Sequence, residues 1–124
     1  MYPRSRRAFT LVEIMLVVAI LSFILAIAIP AFFRSRELSR KRACQENLQK
    51  IDGAKQQWAM ENNISADATP TWAVLVGGSA YIRKSPQCTA SGVYSINALA
   101  EEPACSLSSQ GFFPHVFDAS VNGT

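Results

Sequence analysis

Twenty consecutive residues without a charge, 14–33, limit what this chain can become more than any other feature. At about 1.5 Å of rise per residue they make a helix of roughly 30 Å, the thickness of one bilayer core. Glu13 stands at the edge of that run. A carboxylate at the centre of a membrane helix costs on the order of 2 to 3 kcal/mol, and less near the interface, so its presence asks for a partner.

Arg4, Arg6 and Arg7 precede the run, while Arg34, Arg36, Arg40, Lys41 and Arg42 follow it. Flanking charge therefore does not fix an orientation. A secretory signal peptide would account for the basic start and for the Ala-x-Ala at 26–28, but its apolar stretch spans only about 7 to 15 residues and does not open on an acid. A plain single-pass anchor accounts for the length and leaves Glu13 without a reason. On these residues alone both readings stay open.

In a chain of 124 residues, the segment beyond this helix has room for one small domain. Such a domain buries little core and often relies on a staple or a neighbouring subunit. The net charge of +3 belongs entirely to the three leading arginines, because from Phe9 onward nine Lys/Arg balance nine Asp/Glu. A neutral balance gives no support for nucleic-acid binding.

The stretch "AFTLVEIMLVVAILSFILAIAIP" (residues 8–30) resembles the processing and assembly signature of type IV prepilins and of type II secretion pseudopilins. The signature is a short basic leader, a small residue, Phe-Thr-Leu-Val-Glu, then an apolar helix ending near a proline. The resemblance implies cleavage between Ala8 and Phe9 by a prepilin peptidase and N-methylation of Phe9. Ala8 stands where the family usually has glycine, so cleavage is expected with lower efficiency. The resemblance also implies that Glu13 pairs with the N-terminal amine of a neighbouring subunit, an ion pair far stronger in a low-dielectric helix bundle than in water. Pro30 lacks an N–H and leaves the Ala26 carbonyl without its helical donor, which predicts a kink or local unwinding. Some family members carry a glycine where this chain has Ser22 and melt there.

Beyond Pro30, Cys44, Leu48, Ile51, Ala54 and Trp58 recur at helical spacing, with Glu46, Gln49, Lys50, Gln56 and Gln57 off the stripe. This predicts an amphipathic helix ending near Asn62 or Asn63, with Asn47, Asp52 and Lys55 flanking the stripe as solvated or subunit-facing groups. Residues 68–78 read as a short helix with Thr69 as cap and Pro70 in its first turn, stopped by Gly77 and Gly78. Residues 92–109 read as two short strands around 100–103, and residues 112–121 as a possible third. The Cys, Leu, Ile-Asp-Gly-Ala-Lys and Trp pattern of the helix also resembles short pilin-like proteins.

His115 is the only histidine and the cysteines lack zinc spacing, so no metal site is expected, and neither a catalytic constellation nor a cofactor motif is found. Glu101, Glu102 and Asp118 are too sparse for the calcium loop of major pseudopilins. Phe9, Phe23, Phe32 and Phe33 read as helix-packing residues, and the basic cluster at 34–42 as a solvated or head-group-facing stretch. In an oxidising compartment Cys88 and Cys105 are expected to pair across 16 intervening residues, a closure worth about 3 kcal/mol, with Cys44 to Cys88 as the alternative.

The expectation is an α+β, pilin-like fold: a leader at 1–8, a transmembrane and assembly helix at 9–33, its amphipathic continuation at 34–63 packed on a small antiparallel sheet, and a β-rich part at 64–124. The expected function is structural, as a non-enzymatic subunit of a type IV pilus or pilus-like surface filament. A type II secretion pseudopilin or a DNA-binding minor pilin of a competence system is the alternative. The expected partners are further copies in a helical filament, a prepilin peptidase, the pilus or secretion assembly machinery and, before assembly, inner-membrane lipid. Nucleic acid is not expected.

Overall fold

The computed structural model describes residues 8–110 and 113–118. The leader expected at 1–8 lies outside the described residues except for Ala8, as do Phe112 and residues 119–121 of the expected third strand. The chain divides into two compact units, one up to Arg36 and one from Glu37 onward. Helix α1, Leu11–Asn62, supplies residues to both.

In the first unit, the apolar run is helical throughout, and Pro30 lies inside α1. Ser22 Oγ donates to the Val18 carbonyl at 2.7 Å, a bond back along its own helix. Proline removes one backbone bond, and the helix carries on past it here, so no unwound segment separates Ser22 from Pro30. No residue of the membrane-length apolar window is buried.

The second unit is organised by α1 residues 37–62. Cys44, Leu48, Ile51 and Ala54 are buried at three- and four-residue intervals, as the apolar stripe requires. Trp58, half-buried, extends it. The helix stops where Asn63 turns into the left-handed region (φ 50°) and the Ile64 N–H donates to the Ala59 carbonyl at 3.2 Å. That six-to-one bond satisfies a carbonyl the helix end would leave open. Asn62 Nδ2 adds a bond to the Trp58 carbonyl at 2.9 Å.

The second helix is shorter than its sequence suggests. Helix α2 is Trp72–Leu75 with Thr71, not Thr69, at its N-cap. Pro70 is buried ahead of the helix instead of within its first turn. Val76 is already extended and bridges Ile82, with the Gly77 N–H donating to the Ile82 carbonyl at 3.0 Å, so the backbone leaves the helix before the glycine pair. Strands β1, Tyr94–Ser95, and β2, Ala104–Cys105, pair antiparallel with Tyr94 opposite Cys105. Tyr94 and Cys105 face inward onto the core. Residues 113–118 form no strand.

Lys55 corrects its expected solvent-facing place: it is fully buried, and its Nζ donates to the Glu101 carbonyl at 2.6 Å. This bond ties α1 to the loop between β1 and β2. Burial holds the ammonium below its ordinary 10.5, against the opposing pull of the Asp52 and Glu101 carboxylates. Between the folded pKa and 10.5 the unfolded chain holds more protons, so this group adds stability as pH rises through that window. Lys55→Met keeps the apolar stem and removes the buried charge. It is expected to stabilise the chain by about 1 kcal/mol at neutral pH, an advantage that shrinks as pH approaches 10.5. Side-by-side chemical denaturation near neutral and alkaline pH reads the difference; a less stable Lys55→Met at neutral pH would mean that the bond to Glu101 outweighs desolvation.

Candidate functional site

Ala8, Phe9 and Thr10 are exposed and precede the first helical turn. The Ala8–Phe9 peptide bond therefore lies in open chain, the form a peptidase can bind. Thr10 caps α1: its carbonyl accepts from the N–H groups of Glu13 at 3.1 Å and Ile14 at 3.4 Å, and its Oγ1 accepts from the Glu13 N–H at 3.3 Å. Threonine at the cap with glutamate three residues on is the spacing of a capping box. The Thr-Leu-Val-Glu stretch thus does local work as well. It starts the helix and puts a carboxylate in the first turn, where the exposed N–H groups favour negative charge.

From Ile14 to Phe33 the helix offers apolar side chains apart from Ser22, whose hydroxyl is turned back onto its own backbone. Phe9 is 78% and Phe23 77% exposed, and Leu11, Ile14, Val18, Ile24, Phe32 and Phe33 are exposed with them. Among the described residues nothing buries this surface, which is apolar enough to suit lipid or other helices. Just beyond it, Arg40 pairs with Glu37 at 3.0 Å on a partly exposed face, a contact worth at most about 1 kcal/mol.

The second unit holds an assembly of side chains that linear spacing does not display. Cys44 on α1, Cys88 ahead of β1, Cys105 on β2 and His115 in the C-terminal segment are all buried, and their Sγ and ring nitrogen atoms lie within 4.8 Å of one another. Cys88 Sγ is 3.6 Å from His115 Nδ1. The pairing expected between Cys88 and Cys105 is within reach, and Cys44 is as near, so proximity does not choose between the two disulfides considered from sequence. The four residues sit at 44, 88, 105 and 115, far outside any short metal-binding motif, and only the chain path through α1, β1 and β2 gathers them.

Their surroundings differ. Burial pushes the Cys44 thiol up to about 12, although a hydrogen bond with Tyr94 acts the other way. Burial raises Cys105 too. At Cys88 the effect of burial is overcome by hydrogen bonds from the Ala90 and Gly92 N–H groups and from neighbouring thiols, and the thiol lies below its ordinary value. Burial keeps His115 neutral-leaning, opposed by Glu37 and aided by Lys41. Around the cluster, Asn47 Nδ2 donates to the Gln87 carbonyl at 3.0 Å and to Tyr94 Oη at 3.2 Å, fixing the phenol beside Cys44.

Gly92 is where the backbone passes closest. A Cβ there would stand 2.6 Å from Cys105 Sγ and 3.1 Å from the Leu107 side chain. The sulfur is held on β2 and cannot swing away like the tip of a long side chain, so Gly92→Ala is expected to destabilise by roughly 1 to 3 kcal/mol. A thermal midpoint equal to wild type would show that β2 shifts freely.

Residues 3–29 match the family described as the prokaryotic N-terminal methylation motif. Over 65 residues, 52% of this chain, the sequence is 37% identical to the type IV major pilin protein PilA of Myxococcus xanthus (strain DK1622). The match spans 29% of that relative's length. No solved structure matches. By the motif and by this relative the chain is similar to type IV pilins and prepilin-like proteins, and the long apolar helix with a small antiparallel sheet is consistent with an α+β pilin fold.

Proposed function

We propose that this chain is a structural subunit of a type IV pilus or pilus-like surface filament, anchored in the inner membrane by α1 before assembly and drawn from it into a helical polymer. The observation that carries this reading is the uncovered apolar face of α1 starting directly behind a capped Phe-Thr-Leu-Val-Glu. A prepilin peptidase cuts between Ala8 and Phe9 and the new Phe9 amine is methylated. In the polymer the apolar helices cover one another, and Glu13 of one subunit neutralises the Phe9 amine of the next. Pro30 lies in the packed stretch, where the missing N–H gives the helix a place to adjust to its neighbours. Similarity to a relative described as a type IV major pilin supports the pilin-like reading.

Electron microscopy of the sheared surface fraction, with an antibody against the second unit, tests the proposal. Labelled filaments that vanish when the gene is removed are expected. A chain found only as a membrane monomer would overturn it.

A further inference from the structure

We propose that Cys44, Cys88, Cys105 and His115 form a tetrahedral site for one structural zinc ion. The four donors are already gathered, with every pair within 4.8 Å. A tetrahedron with zinc–sulfur bonds of about 2.3 Å and a zinc–nitrogen bond of about 2.0 to 2.1 Å has sulfur–sulfur edges of about 3.8 Å and sulfur–nitrogen edges of about 3.5 to 3.6 Å. The Cys88 to His115 separation of 3.6 Å has that edge length as it stands. The others need close by no more than about 1 Å, within side-chain rotation.

The donor set also suits the ion. Three thiolates and an imidazole make up one of the standard closed structural zinc sets, with no place left for a reacting water. All four residues are buried, as a closed site requires. Binding converts three thiols and a neutral imidazole to a centre of net charge minus one and releases three protons, so buried negative charge has to be dispersed. The backbone supplies the donors for this. Both cysteines open tight turns, Ser91 N–H to the Cys88 carbonyl at 3.0 Å and Ser108 N–H to the Cys105 carbonyl at 2.9 Å, which aim the N–H two residues on back at the sulfur. Tyr94, in the same buried core as Cys44 and with its phenol held by Asn47 at 3.2 Å, is available to fill the same role there.

The odd cysteine count, awkward for disulfides, is accounted for. A single disulfide ties two segments and leaves one buried thiol and one buried histidine without a role. A zinc ion uses all four groups and joins α1, the loop before β1, β2 and the C-terminal segment at one point. A small unit with a two-stranded sheet gains most from a link of that kind.

The test uses the full-length chain purified in detergent without chelator. Elemental analysis should find one zinc per chain, and cobalt added to metal-stripped, reduced protein should give the visible absorption of a tetrahedral thiolate complex. His115→Ala and Cys44→Ser should each reduce zinc at least tenfold at equal protein. In the wild type, zinc should protect all three cysteines from alkylation, and a chelator should expose all three together. A Cys88 to Cys105 or Cys44 to Cys88 disulfide in non-reducing peptide maps of freshly isolated protein, with no zinc, would overturn the proposal. So would reduced wild-type protein that takes up neither metal.

Discussion

Cells carrying Glu13→Ala are expected to insert and process the subunit and to make no filaments. The alanine removes a carboxylate from the edge of the apolar run, so the monomer sits in lipid at least as comfortably as before. In the polymer the change leaves the Phe9 amine uncompensated between apolar helices, a cost of about 3 to 5 kcal/mol at every contact. Growth repeats that cost with each subunit, and processed protein accumulates in the membrane. Because Glu13 also occupies the third position of a helix capped by Thr10, a local role competes with the intermolecular one. Glu13→Gln separates them: it retains hydrogen-bonding capacity at the helix start and loses the charge. If charge pairing is the function, Glu13→Gln assembles no better than Glu13→Ala. Normal filaments from the glutamine variant would assign Glu13 to capping alone. Immunoblots of membrane and sheared surface fractions give both readouts.

Leu48→Ala should unfold the second unit or bring it close to unfolding. Leu48 and Ile51 are fully buried and lie at the centre of a core that also contains Cys44, Leu75, Tyr94, Ile96 and Cys105. Truncating one such side chain costs about 2 to 5 kcal/mol, through lost transfer energy and the cavity left behind. Domains of this size have only about 5 to 10 kcal/mol in all. Leu48→Ala combined with Ile51→Ala is expected to abolish the native near-ultraviolet signal of Trp58 and Trp72, both packed against this core. Met60→Ala on the same helix is the control. Met60 is 72% exposed, and its loss should matter by less than about 0.5 kcal/mol. Equal effects at positions 48 and 60 would contradict the packing described.

The elements legible in the sequence are those encoded by local periodicity. The stripe from Cys44 to Ala54 sits three and four residues apart, and a helix is the one regular structure that puts such spacing on a single face. Its end at Asn62 was legible too, because asparagine tolerates the left-handed turn that stops it. Strands β1 and β2 lie either side of the expected turn. What tertiary contacts decide was not legible. Lys55 reads as a surface lysine on any helical projection, yet it is fully buried with its Nζ on the carbonyl of Glu101, 46 residues away. Helix α2 is cut short by the pairing of Val76 with Ile82, a contact invisible to propensity.

The cysteine cluster was hidden for the same reason. Metal motifs are recognised when ligands share a turn or a helix face, and here each ligand comes from a different segment. One sequence signal was arithmetical, an odd number of cysteines together with a single histidine. The turn after Cys88 carried a second, unread signal, since Gly92 is required by the approach of Cys105 Sγ to 2.6 Å of its virtual Cβ. At the N-terminus the residues that carry assembly in the resemblance, Phe9 and Glu13, are joined by Thr10, whose capping role follows from its spacing to Glu13.

The most direct test of the filament account is the N-terminal mass of the subunit recovered from sheared surface filaments. Cleavage after Ala8 and methylation of the new amine predict a chain that begins at N-methyl Phe9, with Glu13 four residues further on. Filament subunits beginning at Met1, or at Ile29 after a secretory-type cut, would contradict it.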